Sequence, residues 1–303
     1  MQDQAGIPAP EPSPPGDTGH QRVQPQSTRT PLYQSQHAQR YERQDRIREY
    51  ERNYACRLAV LIDAIFPQSV TLFEELISEA SPEEALHWLL YSPGGDGESA
   101  VRLLRSAHVR CKKLTVIVPD QAKSAATLIA LGAHEIIMGP SSDLGPIDPQ
   151  MQLPGKPGSL VAAKDIIAAV DNATAKIQVA PDTYPLHAAL LGDVTGILVQ
   201  QAKSALERSD DLLSLALASC SARNNEAVTG LHTRLRPLLI EGAKTHAAIF
   251  GPNEAIKAGL PVKLLHPSDP EWQAIWGLWT RYFVLSSRVY EGARASQVFP
   301  WQP

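Results

Sequence analysis

Short apolar runs alternate with segments of helical spacing through the middle of the chain. Each run is four to six residues long, which is the length of a buried strand, and the runs are bounded by polar or turn-forming residues. Strands and helices in this alternating order are typical of stacked βαβ units around a parallel sheet. We predict strands over residues 57–62, 86–91, 113–118 and 135–138, and helices over residues 69–80, 98–107 and 122–133.

The two ends of the chain depart from this pattern. Residues 1–38 are rich in Pro, Gln, Ser and Thr with few aliphatic side chains, which predicts a disordered tail. Residues 40–52 are dense in charged helix formers, which predicts a polar, solvent-facing helix. Residues 158–222 have a helical pattern without a convincing strand. The segment after residue 268 carries an apolar stripe at helical spacing, formed by Trp272, Ile275, Trp276, Trp279 and Phe283.

These patterns divide the chain into three parts. We expect a Pro/Gln-rich tail over residues 1–38, an α/β domain over residues 39–268, and a C-terminal amphipathic helix and tail over residues 269–303. The stripe in the last part favours a core face or a subunit interface.

Composition narrows the function classes. With a net charge of −4 the chain has no excess of basic residues, which argues against a nucleic-acid or anionic-membrane partner. Three dispersed cysteines provide neither a disulfide framework nor a metal site. No signal peptide is evident at the first residues, and no apolar run approaches the ~18 residues of a membrane span. We therefore expect a cytoplasmic protein.

Two segments carry candidate chemistry. Gly94 and Gly95 directly follow a predicted strand, where glycines let the backbone turn sharply and offer N–H groups to a ligand. Ser124 precedes an Ala-rich helix that follows the next strand. An ordinary βα turn and an N-capping serine are the structural alternatives. Because the carboxyl ends of parallel strands share one edge, where ligands bind, we expect the two segments to meet there.

These motifs resemble a known superfamily. Residues 91–95 (YSPGG) and 122–130 (AKSAATLIA) look like the glycine motif and nucleophile helix of the Clp protease, signal peptide peptidase and crotonase superfamily. Residues 133–138 (AHEIIM) and 144–150 (LGPIDPQ) resemble, more narrowly, its serine dehydrogenase proteinase family. Residues 254–260 (EAIKAGL) are similar to a segment near the end of these folds.

The resemblance implies a Clp/crotonase-type fold of stacked βαβ units with a predominantly helical C-terminal part. It also implies a serine peptidase that acts on a protein or peptide, assembles as a homo-oligomer and needs no metal or cofactor. Ser124 would be the nucleophile, and the N–H groups of Gly95 and Ala125 would form the oxyanion hole. The implied substrate-binding residues are Gly94, Leu144, Gly145 and Asp148.

The sequence contains more than one candidate for the general base. Clp-type enzymes take a histidine from the loop that here spans residues 139–145, and this loop has none. Signal peptide peptidases use a lysine well downstream of the serine, and Lys164 stands in a similar context among apolar neighbours. A solvated helix lysine is the alternative interpretation. His246 is a second candidate, while Lys123 should point away from Ser124 and His134 should be structural.

Two other functions stay open at this point. The oxyanion hole that serves a peptidase can also stabilise an enolate, so a crotonase-like enzyme acting on an acyl-CoA is one alternative. A chain that keeps the fold without a working base would instead be a scaffold or binding protein. Asp148 could order the cleft loop or orient a base.

Overall fold

The structure is a computed structural model that describes residues 30–153, 158–242 and 244–301. The chain divides into two units, residues 1–39 and 40–303. Of the predicted tail, residues 1–29 lie outside the described residues. Within the described part of that range, residues Pro31–Gln36 form a short helix that Thr30 caps, and the tail as a whole stays a prediction. The Thr30 hydroxyl and a proline in the first turn are the local signals that favour this helix.

The larger unit is built on a sheet of seven strands with helices on both faces, so the predicted α/β class is confirmed. The strands are β1 (Cys56–Ile62), β2 (Ala85–Tyr91), β3 (Lys113–Val118), β4 (Gln121–Ala122), β5 (Glu135–Met138), β6 (Asp143–Leu144), β7 (Gln150–Gln152), β8 (Leu160–Ala162), β9 (Val262–Leu264), β10 (Ser287–Glu291) and β11 (Ser296–Pro300). The helices are α1 (Pro31–Gln36), α2 (Ala38–Tyr54), α3 (Pro67–Leu76), α4 (Gly97–Val109), α5 (Ala125–Leu131), α6 (Ala163–Val179), α7 (Tyr184–Leu190), α8 (Gly196–Ala218), α9 (Asn225–Arg236), α10 (Pro252–Lys257) and α11 (Pro270–Leu285).

The main sheet has the strand order β11-β10-β1-β2-β3-β5-β9. Neighbours from β1 to β9 pair in parallel, while β10 pairs antiparallel with β1 and with β11. Two small sheets stand apart, the parallel pair β4–β6 and the antiparallel pair β7–β8. The parallel strands therefore end together at one edge, beyond which the candidate residues lie.

Alternation along β1 assigns its side chains to two cores. Ala59 and Leu61 pack with α3, α4, α5, α8 and α9, whereas Leu58, Val60 and Ile62 pack with α2 and α11. Side chains on both faces are buried, which explains why the strand appears in the sequence as a continuous apolar run.

The C-terminal part differs from its prediction. β10 and β11 extend the main sheet beyond β1, and residues 40–303 form one compact unit, so no boundary separates residues 269–303 from the rest. Within the stripe on α11, Trp272, Ile275 and Trp279 are buried, while Trp276 and Phe283 are exposed. Most of the stripe therefore faces the core, while the other side of α11 is left uncovered.

The charged helix α2 is not solvent-facing on all sides, which corrects another expectation. Arg43, Gln44, Ile47 and Tyr50 are buried on one face. The Arg43 guanidinium donates to the fully buried Glu291 carboxylate at 2.7 Å, and the Tyr282 hydroxyl donates to the same carboxylate at 2.7 Å. Burial of such charged groups is tolerated because they are paired and hydrogen-bonded.

None of the described helices is long and apolar enough to cross a membrane. Between residues 158 and 222, where no strand was expected, the short strand β8 pairs with β7.

His87 on β2 makes the stability of this fold depend on pH. Burial lowers its pKa to about 4, and its Nδ1 lies 2.9 Å from the Tyr50 hydroxyl. The unfolded chain takes up this proton near pH 6.5, so stability present above that pH is lost as the pH falls towards 4. We expect this group to account for about 3 kcal/mol of the loss in unfolding free energy between pH 7 and pH 4. Urea unfolding of the wild type and His87→Gln at both pH values measures it, and equal losses in both proteins would contradict the assignment.

Candidate active site

The turn after β2 is hydrogen-bonded to the segment that precedes Ser124. The Ser92 N–H donates to the Gln121 carbonyl at 3.1 Å, and the Lys123 N–H donates to the Ser92 carbonyl at 3.0 Å. The two segments therefore run side by side beyond the ends of β2 and β3. This pairing brings the glycine turn to Ser124.

Gly94 and Gly95 fit where a side chain would not. Both have positive φ, 111° and 137°. A Cβ on Gly94 would lie 2.7 Å from the Ser124 Cβ, and a Cβ on Gly95 would lie 2.1 Å from the Ile65 carbonyl oxygen. The Ile65 N–H donates to the Gly94 carbonyl at 2.7 Å, which holds the turn against the segment after β1. Only glycine allows this backbone to approach both neighbours.

Ser124 has an unusual backbone conformation at the start of α5. Its φ is 50° and its ψ is −118°, a region that non-glycine residues rarely adopt. Its side chain does not cap the helix, and its Oγ makes no hydrogen bond to any of the described residues. The N-cap alternative is therefore not what the structure contains. The hydroxyl is partly exposed beside Gly94 and available for other contacts.

Two backbone donors flank this serine. Ala125 occupies the first position of α5, where an N–H has no partner within the helix. Gly95 lies one residue beyond the contact between Gly94 and Ser124. Neither N–H donates to a backbone or side-chain acceptor in the parts of the chain that the structure describes. Both are therefore free to bind an oxygen atom.

Asp148 joins the two candidate bases. Its side chain is 1% exposed, and its Oδ1 lies 2.9 Å from the His246 Nδ1. Its Oδ2 lies 3.4 Å from the Lys164 Nζ, and Lys164 also donates to the Ile240 carbonyl at 3.3 Å. Lys164 is thus a paired and mostly buried lysine, unlike the solvated alternative. Neither base candidate hydrogen-bonds to Ser124 in this structure.

The loop after β5 is hydrogen-bonded to α5 and to the segment before α10. Leu144 is buried, and its N–H and carbonyl pair with those of Phe250 at 3.0 and 3.2 Å. The Thr127 hydroxyl on α5 donates to the Gly145 carbonyl at 2.9 Å and accepts from its N–H at 3.1 Å. Leu144 and Gly145 therefore support the site through their backbones, since these groups are already paired. The roles of Thr127 and Phe250 were not predicted from the sequence.

The remaining candidates lie in structural positions. The Lys123 ammonium pairs with the Asp143 carboxylate and donates to the Leu144 carbonyl at 3.1 Å, which occupies it away from Ser124. The His134 Nδ1 accepts from the Leu114 N–H at 3.1 Å. Burial lowers the pKa of His134, which favours its neutral form. Among the described residues, no group of three or more His, Cys, Asp or Glu side chains is placed to hold a metal ion.

Residues 75–180 match the family model of the ClpP-like SDH-type serine proteinases. Over these residues, the match agrees with the family predicted from the sequence motifs. The match ends before His246. The matched residues of this chain include Gly94, Gly95, Ser124, Asp148 and Lys164. At the level of the family, the match supports a peptidase.

Two curated relatives come from Methanocaldococcus jannaschii. The uncharacterized protein MJ0137 is 28% identical over 194 residues, which cover 64% of this chain and 58% of the relative. The uncharacterized protein MJ1495 is 30% identical over 119 residues, which cover 35% of this chain and 41% of the relative. The chain thus spans about half the length of these relatives. A solved variant of the membrane-bound stomatin-specific protease 1510-N aligns with a TM-score of 0.44 and 20% identity, covering 70% of this chain and 79% of that chain.

Proposed function

We propose that the protein is a serine peptidase in which Ser124 is the nucleophile. The observation that carries the proposal is the strained backbone of Ser124, which lies against the glycine turn and whose side chain does not cap α5. A non-glycine residue in such a conformation costs on the order of 1–3 kcal/mol, and such strain clusters at functional sites. A serine hydroxyl presented on a sharp, strained turn into a helix is the geometry in which α/β-hydrolases place their nucleophile.

The N–H groups of Gly95 and Ala125 form the oxyanion hole in this proposal. As the Ser124 Oγ attacks a peptide carbonyl, negative charge develops on the carbonyl oxygen. Two preorganised donors beside the nucleophile stabilise that charge, and each contributes about 3 kcal/mol in comparable sites. Support comes from the unpaired state of both groups among the described residues.

Lys164 is the general base in this proposal. Acting as the neutral amine, it takes the proton from the Ser124 hydroxyl during attack and, as the ammonium so formed, delivers that proton to the leaving amine. Its side chain is 16% exposed and is held by Asp148 and the Ile240 carbonyl, which limits the positions of the Nζ. Catalytic hydrogen bonds are often absent without substrate, so the Ser124–Lys164 contact is expected to form in the complex.

The substrate is an exposed segment of a protein or peptide, and it reaches Ser124 past Gly94. Leu144, Gly145 and Asp148 support substrate binding by holding the surrounding segments in place, rather than by hydrogen-bonding to the substrate. Self-association is a further part of the proposal. The exposed Phe283 and Val284 on α11 support it, because uncovered apolar side chains favour a protein contact.

Labelling with a fluorophosphonate, read by intact mass, tests the nucleophile and its base together. We expect one label on the wild type, none on Ser124→Ala, and labelling of Lys164→Ala slower by about 100-fold or more, since a general base contributes that much. Lys176→Ala, an exposed lysine on the same helix, is the matched control and should label like the wild type. A folded wild type that takes up no label would reject the peptidase in favour of a scaffold or binding protein.

A further inference from the structure

Asp148 is a buried carboxylate with three side-chain partners. At 1% exposure it has almost no access to water, and a carboxylate in that setting requires hydrogen bonds or charge partners. His246 contacts its Oδ1, Lys164 lies near its Oδ2, and the Gln150 amide donates to Oδ2 at 3.1 Å. The carboxylate therefore links two basic side chains that lie on different segments of the chain.

The histidine is bound in a defined orientation. Its Nδ1 faces Asp148, so the Nδ1–H donates to the carboxylate and the Nε2 is directed elsewhere. Carboxylate–histidine pairs of this kind fix the orientation of both groups. His246 is 33% exposed, whereas Asp148 is buried, so the contact closes the solvent side of the carboxylate.

The segment that carries His246 is also tied to the neighbourhood of Ser124. The Lys123 Nζ donates to the Ala248 carbonyl at 3.4 Å, and Phe250 pairs with Leu144. Other charges around this segment have their own partners, since Lys123 pairs with Asp143 and Glu241 pairs with Arg236 at 2.7 Å. His246 thus lies on a segment that is bonded to residues near Ser124, and it also contacts Asp148, which pairs with Lys164.

We propose that His246 is a positioning residue for the reaction. Its Nδ1–H holds one oxygen of Asp148, and this fixes the other oxygen in the place where it holds the Lys164 Nζ. His246 acts through Asp148 and Lys164 rather than on the substrate. The inference rests on the proposed role of Lys164 as the base. His246 itself lies outside the residues matched by the family model.

Two substitutions at His246 separate positioning from other roles. His246→Ala removes the contact to Asp148, and we expect kcat to fall about 10- to 100-fold with KM nearly unchanged. His246→Asn places an amide N–H where Nδ1–H was, so it should recover most of the lost kcat. Rates of fluorophosphonate labelling should follow kcat in both variants.

A double variant tests whether the effect passes through Lys164. If it does, His246→Ala/Lys164→Ala labels no more slowly than Lys164→Ala alone, because His246 has no base left to position once Lys164 is removed. Multiplicative losses, an unchanged kcat in His246→Ala, or inactive variants with both alanine and asparagine would each overturn the proposal. The last result would make His246 itself the base. Failure of the peptidase proposal is distinct, since the wild type would then take up no label.

Discussion

Replacing Ser124 by alanine is expected to lower the rate of peptide hydrolysis by a factor of about 10⁴ or more. The substitution removes the oxygen atom that attacks the carbonyl. Only the rate enhancement from the oxyanion hole and substrate binding is left. Hydrolysis of a fluorescently labelled, unstructured protein such as casein measures the loss. Ser141→Ala changes an exposed serine in the loop after β5 and should keep the wild-type rate.

A glycine at the same position adds a second readout. Glycine tolerates the positive φ of 50° at Ser124, so Ser124→Gly should be as inactive as Ser124→Ala. The glycine variant should nevertheless unfold at a higher urea concentration than the alanine variant. Its free energy of unfolding should be larger by about 1 kcal/mol. Appreciable hydrolysis by either variant would show that Ser124 is not the nucleophile. Equal stability of the two would show that the backbone there is not strained.

Replacing Gly95 by alanine is expected to damage both stability and activity. The new Cβ would lie 2.1 Å from the Ile65 carbonyl oxygen, at a backbone φ of 137° that alanine disfavours. The turn must shift to relieve the overlap, and we expect a loss of about 3 kcal/mol or more in the free energy of unfolding. The same shift displaces the proposed oxyanion donor, which should cost about 10²- to 10³-fold in kcat. Urea unfolding and casein hydrolysis measure the two effects.

Gly158 provides the matched control for this prediction. Its φ of 81° is also positive, but a Cβ there would meet no atom of the described residues within 4 Å. Gly158→Ala should therefore lose only about 1 kcal/mol, with activity unchanged. If Gly95→Ala and Gly158→Ala were equally stable, the close contact with Ile65 would not limit position 95. If Gly95→Ala kept full activity while destabilised, its N–H would not be an oxyanion donor.

Much of the central sheet is predictable from local pattern. The apolar runs at residues 57–62, 86–91, 113–118 and 135–138 all become strands within one residue of the expected bounds. They are recognisable because strands buried on both faces are continuously apolar. The parallel order then predicts the shared edge, and Gly94 and Ser124 do meet there.

The two C-terminal strands had no comparable signal. β10 and β11 are short, contain polar residues and a proline, and lie at the edge of the sheet, where one side is only partly covered. The buried face of α2 was missed for a related reason. Arg43 is neutralised by Glu291, a partner 248 positions away, and no local pattern reports such a pair.

The site shows the same division between local and distant information. A helix-start serine and a glycine pair are local features, and the motif resemblance drew attention to both. His246 and Asp148 are 98 positions apart, and the histidine has no distinctive neighbours in the sequence. The two segments that carry them are also joined by the bridge between Leu144 and Phe250, which only the folded chain forms.

The antiparallel pairing of β10 with β1 has a consequence for synthesis on the ribosome. β1 emerges early and can pair with β2 soon afterwards, but its other edge stays uncovered until residues 287–291 have been made. At 5–20 residues per second this interval lasts roughly ten seconds or more. During that time the nascent chain presents an unpaired strand edge that other chains can join. Completing this sheet therefore depends on translation reaching the C-terminal strands, and an interrupted chain would expose a surface prone to aggregation.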